Sequence, residues 1–120
     1  MIEIKIAPVP KPRMTVADKW RHRSVVDRYF AFKDAINLIC NKNKFKLTGN
    51  YKVEFLMPIP KSWPEKKKQS LHGQPHQQKP DLDNLLKALN DCLLKEDKEV
   101  WKIEACKVWW DEGKILIWNK

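Results

Sequence analysis

The residue pattern predicts an α+β fold, a small two-layer domain with a mixed or antiparallel sheet and two main helices. Three observations carry this. Apolar and polar residues alternate in four short segments, the period of half-buried strands. Apolar residues recur at steps of three and four in two longer segments, the period of amphipathic helices. The order along the chain (strand, helix, strand, long loop, helix, strand, strand) suits helices packed on a sheet. With 120 residues, no internal repeat and no domain boundary, residues 1–120 are expected to form a single domain.

Each element has its own signal. Met1–Ile6 (MIEIKI) alternates strictly and reads as a strand, ended by the three prolines of Ala7–Pro12. Arg13–Arg23 is basic and without a period, so it reads as a loop. Ser24 is a cap candidate, and behind it Val25, Tyr29, Phe32, Ile36 and Ile39 predict a helix of roughly Val25 to Asn41. After a turn at Thr48–Asn50, Tyr51, Val53, Phe55 and Met57 mark one side of a strand. Pro58–Pro80 holds five prolines and reads as a long irregular connection, with a short helix after Pro64 as an option; such a length is usually functional or disordered. Leu82, Leu85, Leu86, Leu89 and Leu93 form the stripe of a second helix, Leu82–Leu94. Trp101–Trp110 and Lys114–Trp118 read as a hairpin around Asp111-Glu112-Gly113.

Composition narrows the function. Twenty-four Lys and Arg against 15 Asp and Glu give a net charge of +9, which suits a polyanionic partner, nucleic acid being the common one. No window has the length and apolarity of a membrane span, and the N-terminus has no apolar run of signal-peptide length, so a cytoplasmic protein without membrane attachment is expected. Cys40, Cys92 and Cys106 are odd in number and lack CxxC spacing; they read as buried thiols, not as a disulfide or zinc framework.

The densest chemistry lies in KPDLDNLLKALND, Lys79 to Asp91, with Glu96-Asp97 behind it. Five acids between Asp81 and Asp97 reverse the sign of a strongly basic chain. Pro80 suits a helix start, placing Asp81 near the N-cap and Asp83 in the first turn. Within a helix their side chains would diverge by roughly 160°, so convergence requires Asp81 to lie outside it. Magnesium takes hard oxygen ligands, commonly one or two carboxylates completed by water and phosphate. Asp81 and Asp83 are candidates for that share, with Asp97 as a third source and Asp91 and Glu96 as additional acids. Lys87, one turn beyond Asp83, is placed to stabilise charge on a reacting phosphate. The plainer alternative stays open on spacing alone: Asp81 as a helix cap, and Asp83–Lys87 as an ordinary surface pair.

The string DLDNLLKALNDCL, followed by Glu96-Asp97 and Val100, resembles the motif of RusA-type Holliday junction resolvases: Asp-x-Asp-Asn-x-x-Lys, a further Asp, then an acidic pair and Val. The opening strand and PVPKPR resemble that family's start. The resemblance implies a RusA-like fold and endonuclease activity on branched DNA in recombination and repair. It implies Asp81, Asp83 and Asp97 as metal-site acids, Lys87 as the catalytic lysine, and magnesium, or manganese in its place, as cofactor. It also implies a homodimer making paired incisions in a four-way junction, and phage or prophage encoding.

Two basic stretches are candidates for DNA contact. Lys11, Arg13, Lys19, Arg21, Arg23 and Arg28 make one; Lys61, Lys66, Lys67, Lys68 and Lys79 make the other. Trp20 and Trp63 within them could stack on or wedge between unpaired bases, but taken singly each reads first as an anchor of its loop to the core. His72 and His76 are four apart, but Gly73 and Pro75 between them argue for loop residues over a helical metal pair. Trp101, Trp109, Trp110 and Trp118 are expected to pack in the core or at a subunit interface. The rival functional reading is a basic DNA- or RNA-binding protein without catalysis.

Overall fold

Nine residues in a row, Asn50–Pro58, form the strand on which the molecule is built. In the computed structural model, which describes residues 1–13 and 24–120, this strand is β2. It is flanked on both sides. The chain runs β1 (Ile2–Ile4), α1 (Ser24–Lys42), β2, α2 (Glu65–Leu71), α3 (Leu82–Leu93), a 3-10 turn at Asp97–Glu99, β3 (Lys102–Trp110) and β4 (Lys114–Asn119). The strands form one mixed sheet in the order β1-β4-β2-β3. β2 pairs parallel with β3 from Asn50↔Lys102 to Pro58↔Trp110, and antiparallel with β4 from Tyr51↔Asn119 to Leu56↔Lys114. β1 closes the other edge against β4.

The alternation read from the sequence holds in β2. Tyr51, Val53, Phe55 and Met57 all face the core, with Ile115 and Ile117 of β4 beside them. α1 supplies Tyr29, Phe32, Ile36 and Cys40 to the same core, and α3 supplies Leu85, Ala88, Leu89 and Cys92. Sheet and helices therefore make the two-layer α+β domain expected. Burying one such Leu or Ile contributes about 1.5–3 kcal/mol. No helix among the described residues is long and apolar enough to cross a membrane.

Four expectations change. The terminal strands are not a hairpin: β2 lies between β3 and β4. β3 joins β2 in parallel by way of the α2–α3 crossover, as parallel pairing requires a long connection. The link Asp111–Gly113 carries the chain across, and Gly113 is needed there, because a Cβ would stand 2.5 Å from Ala7 Cα. The Pro58–Pro80 connection is ordered: it contains α2, then runs along the free edge of β3. Gly73 N donates to Trp109 O (2.8 Å), Trp109 N to Gln74 O (2.9 Å) and His76 N to Lys107 O (3.1 Å). The first strand is shorter than the alternation, Ile2–Ile4 in place of Met1–Ile6. Cys40 and Cys92 are buried, whereas Cys106 is exposed on the sheet's outer face opposite Glu54.

Candidate active site

The apolar stripe of α3 decides which of its polar residues reach solvent. With Leu85, Ala88, Leu89 and Cys92 turned inward, Asp83 and Lys87 share the outer face. Their charged ends are 3.9 Å apart, with side chains 70% and 65% exposed. Asp81 occupies the N-cap position with extended backbone (φ −66°, ψ 146°), and its carbonyl accepts from Asn84 N (3.1 Å) and Leu85 N (3.2 Å). Its carboxylate makes no capping hydrogen bond. The position is that of a cap, but the side chain is left over for other work.

The segment after β1 lies against this helix start. Lys11 N donates to Asn84 O (3.4 Å), and a groove of about 470 Å³ is lined by Pro10, Lys11, Lys79, Pro80, Asp81 and Asn84. Two of the predicted DNA-contacting lysines, Lys11 and Lys79, thus flank Asp81. Beneath the groove, Lys107 Nζ from β3 donates to Pro80 O (2.6 Å) and to Gln78 O.

The far half of α3 is bound to the core by polar contacts. The buried Tyr29 hydroxyl donates to Asp91 Oδ2, and Lys11 and Lys33 each sit 3.5 Å from the Asp91 carboxylate. Burial alone would raise the Asp91 pKa; the Tyr29 hydrogen bond and the two ammonium charges outweigh it and hold the carboxyl below its ordinary range. Tyr29 is pushed far up, first by burial and then by that same bond. Tyr51 donates to Asn90 Oδ1 (2.5 Å) and is pushed up to about 12 by burial, with the charge of Asp97 adding to the rise. Asp97 thus stands within electrostatic reach of the Tyr51 hydroxyl. It opens the 3-10 turn, which Gly49 holds against β2: Gly49 O accepts from Trp101 N (2.9 Å), and a Cβ on Gly49 would meet Glu99 O at 2.2 Å.

The predicted acids are therefore distributed. Asp81 and Asp83 share the start of α3, Asp91 is committed to Tyr29 and two lysines, Glu96 pairs with Lys98 at 2.9 Å, and Asp97 follows the opposite end of the helix. α3 has 12 residues, so its ends are about 18 Å apart. Among the described residues no three His, Cys, Asp or Glu side chains are grouped to hold a metal. In kind the donors fit a hard divalent cation; within one chain they form a helix-start pair, not a closed triad.

Of the other basic candidates, Lys66 and Lys67 are exposed on α2, Lys68 pairs with Glu65 at 3.5 Å, and Arg13 lies exposed on the segment after β1. Lys19, Trp20, Arg21 and Arg23 fall outside the described residues. Trp63 packs on Trp109 (5.2 Å) with Lys67 Nζ over it (3.8 Å), so it anchors α2. His72 stacks on Trp110 (4.1 Å) and pairs with Asp111, while His76 is buried against Trp109 (4.3 Å); they are separate loop residues, as expected. Trp109 is buried, whereas Trp101 is 74% exposed. The sequence reading missed Lys107, Asn90 and the polar roles of Tyr29 and Tyr51. Lys107 had a visible signal, a lysine in an otherwise apolar alternation.

A basic α+β domain with exposed acids and a lysine at a helix start, beside a lysine-lined groove, has the build of an enzyme acting on nucleic acid. The family model of the endodeoxyribonuclease RusA matches residues 5–118, and the chain belongs to that family. It is accordingly an endodeoxyribonuclease of the Holliday-junction-resolving kind. No curated protein matches it.

Proposed function

We propose that the protein resolves four-way DNA junctions by magnesium-dependent phosphodiester hydrolysis, as a homodimer making paired incisions during recombination and repair. The observation that carries this is the uncommitted Asp81 carboxylate at the head of α3, two residues before the Asp83 of the Asp83–Lys87 pair, in a chain matched over residues 5–118 by the RusA family. Asp81 and Asp83 would hold the ion, magnesium or manganese, with water and phosphate oxygens as the remaining oxygen sources. A bound divalent ion supplies charge neutralisation on the phosphate and activation of water.

The chain's own residues do the rest. Lys87, exposed beside Asp83, balances the charge that develops on the phosphate during displacement. Lys11 and Lys79 draw the backbone into the groove beside Asp81, and Arg13, Lys66, Lys67 and Lys68 add further cations for phosphate contact; Arg21 and Arg23 are proposed for the same role on their charge alone. A two-fold dimer presents two equivalent sites to a two-fold symmetric junction.

The test is a synthetic four-way junction incubated with the parent chain and with Asp83→Asn, in magnesium and in chelator. The parent cuts only with magnesium, and Asp83→Asn binds the junction without cutting it. Cleavage by Asp83→Asn at the parent rate removes the assignment, and binding by the parent without any magnesium-dependent nick leaves a non-catalytic nucleic-acid binder.

A further inference from the structure

β-strand side chains alternate between faces, so a strand with one face on a core repeats apolar residues at every second position. In β3 that row is Ile103, Ala105, Lys107 and Trp109, standing in register beside Tyr51, Val53, Phe55 and Met57 of β2. Lys107 breaks the row. It is half-buried, next to Phe55 in the ladder. An ammonium taken partly out of water needs acceptors. The ones it has are main-chain carbonyls: Pro80 O at 2.6 Å and Gln78 O.

Those carbonyls belong to a stretch that nothing else in the backbone secures. The edge-covering segment ends its bonds to β3 at His76 N, which donates to Lys107 O, and the next main-chain bond is accepted by Asp81 O at the head of α3. Among the described residues, no backbone–backbone hydrogen bond involves 77–80. The side chain of Lys107 fills that gap. The Pro80 carbonyl belongs to the peptide unit leading into Asp81, so fixing it fixes the plane from which Asp81 departs. Asp81 is then held on both sides, through Pro80 by Lys107 and through its own carbonyl by Asn84 N and Leu85 N, while its carboxylate stays free.

We propose that Lys107 is a positioning residue: it clamps the Gln78 and Pro80 carbonyls and thereby sets where Asp81 presents its carboxylate. This rests on the proposed function in taking Asp81 as a metal-binding acid. A local violation of patterning that is compensated by hydrogen bonds to two main-chain carbonyls is what a preorganised site shows. Supporting groups of this type change metal affinity by about 10–100-fold when removed.

The test compares the full-length parent with Lys107→Met, which keeps the apolar stem, and Lys107→Arg, which keeps a cation with several donors. Three quantities are read: Mn²⁺ affinity by calorimetry without DNA, amide hydrogen exchange, and cleavage of a four-way junction in magnesium. For Lys107→Met the expected result is about tenfold weaker Mn²⁺ binding, faster exchange at residues 77–83 with β2 unchanged, and kcat lowered by a similar factor. Junction affinity in chelator stays within about twofold, and Lys107→Arg recovers most of the Mn²⁺ affinity. Parental Mn²⁺ affinity and parental exchange in Lys107→Met overturn the inference. Should Lys107→Met not fold, Lys107→Gln, whose single amide cannot span both carbonyls, is read by the same criteria. A parent that binds no Mn²⁺ while exchange at residues 77–83 still responds to the substitution removes the proposed metal site and leaves the clamp standing.

Discussion

The two halves of α3 treat their polar residues in opposite ways. In the second half, Asn90 and Asp91 are tied to buried tyrosines, Tyr51 and Tyr29, and Asp91 also to Lys11 and Lys33. In the first half, Asp81 makes no capping bond, and among the described residues Asp83 pairs with Lys87 alone, at 3.9 Å between exposed side chains. Both halves carry an aspartate within one helix, yet Asp91 is part of the scaffold, whereas Asp83 lies exposed on the outer face and Asp81, at the cap, lines the groove. Polar residues engaged on all sides hold a helix in place; those fixed only through their backbone are available to a ligand. Substitutions in the two halves should therefore fail differently.

The largest effect is expected at the open end. Asp81→Asn should lower the turnover of a four-way junction by about 10²–10³-fold, with an unchanged thermal midpoint and retained junction binding. A parental rate would erase the distinction between the halves. Lys87→Ala comes next, with turnover down by about a hundredfold and binding nearly kept; unchanged kcat removes Lys87 from the reaction.

At the closed end the loss should appear as stability. Asp91→Asn is expected to cost about 1–3 kcal/mol in urea unfolding, with cleavage per folded molecule falling far less than in Asp81→Asn. The pH dependence sharpens this. The Asp91 carboxyl is held below its ordinary value of 3.8, so its stabilisation is present above that value and is lost as pH falls through the lower folded value. The stability gap between parent and Asp91→Asn should be full at pH 7 and close in strong acid; a gap independent of pH would contradict it. Tyr51→Phe should be the mildest, about 1 kcal/mol, because Asn90 keeps access to solvent at the helix surface.

Much of the fold was legible because hydrophobic periodicity reports burial directly. β2 and the stripe of α3 followed from it; α2 was visible only as an option after Pro64, suggested by the lysine run. The strand order was not legible. Periodicity tells which residues face a core but not which strand lies beside which, so β3 and β4 read as a hairpin although β2 separates them. The Pro58–Pro80 connection read as irregular because its order comes from bonds to the β3 edge, a tertiary feature without local pattern. At the site, the acids and Lys87 were visible as a motif. The commitment of Asp91 to Tyr29 was not, since 62 residues separate them. Lys107 was visible only as a broken alternation, and its reason lies in carbonyls 27 and 29 positions away.

The central contrast can be measured without catalysis, by substoichiometric Mn²⁺ added to the isotopically labelled protein and read as paramagnetic broadening of backbone amides. The account predicts that the amides of Asp81–Lys87 broaden first, while those of Asn90–Leu93 persist to higher Mn²⁺. Broadening that begins around Asp91 and spares the start of α3 would contradict it.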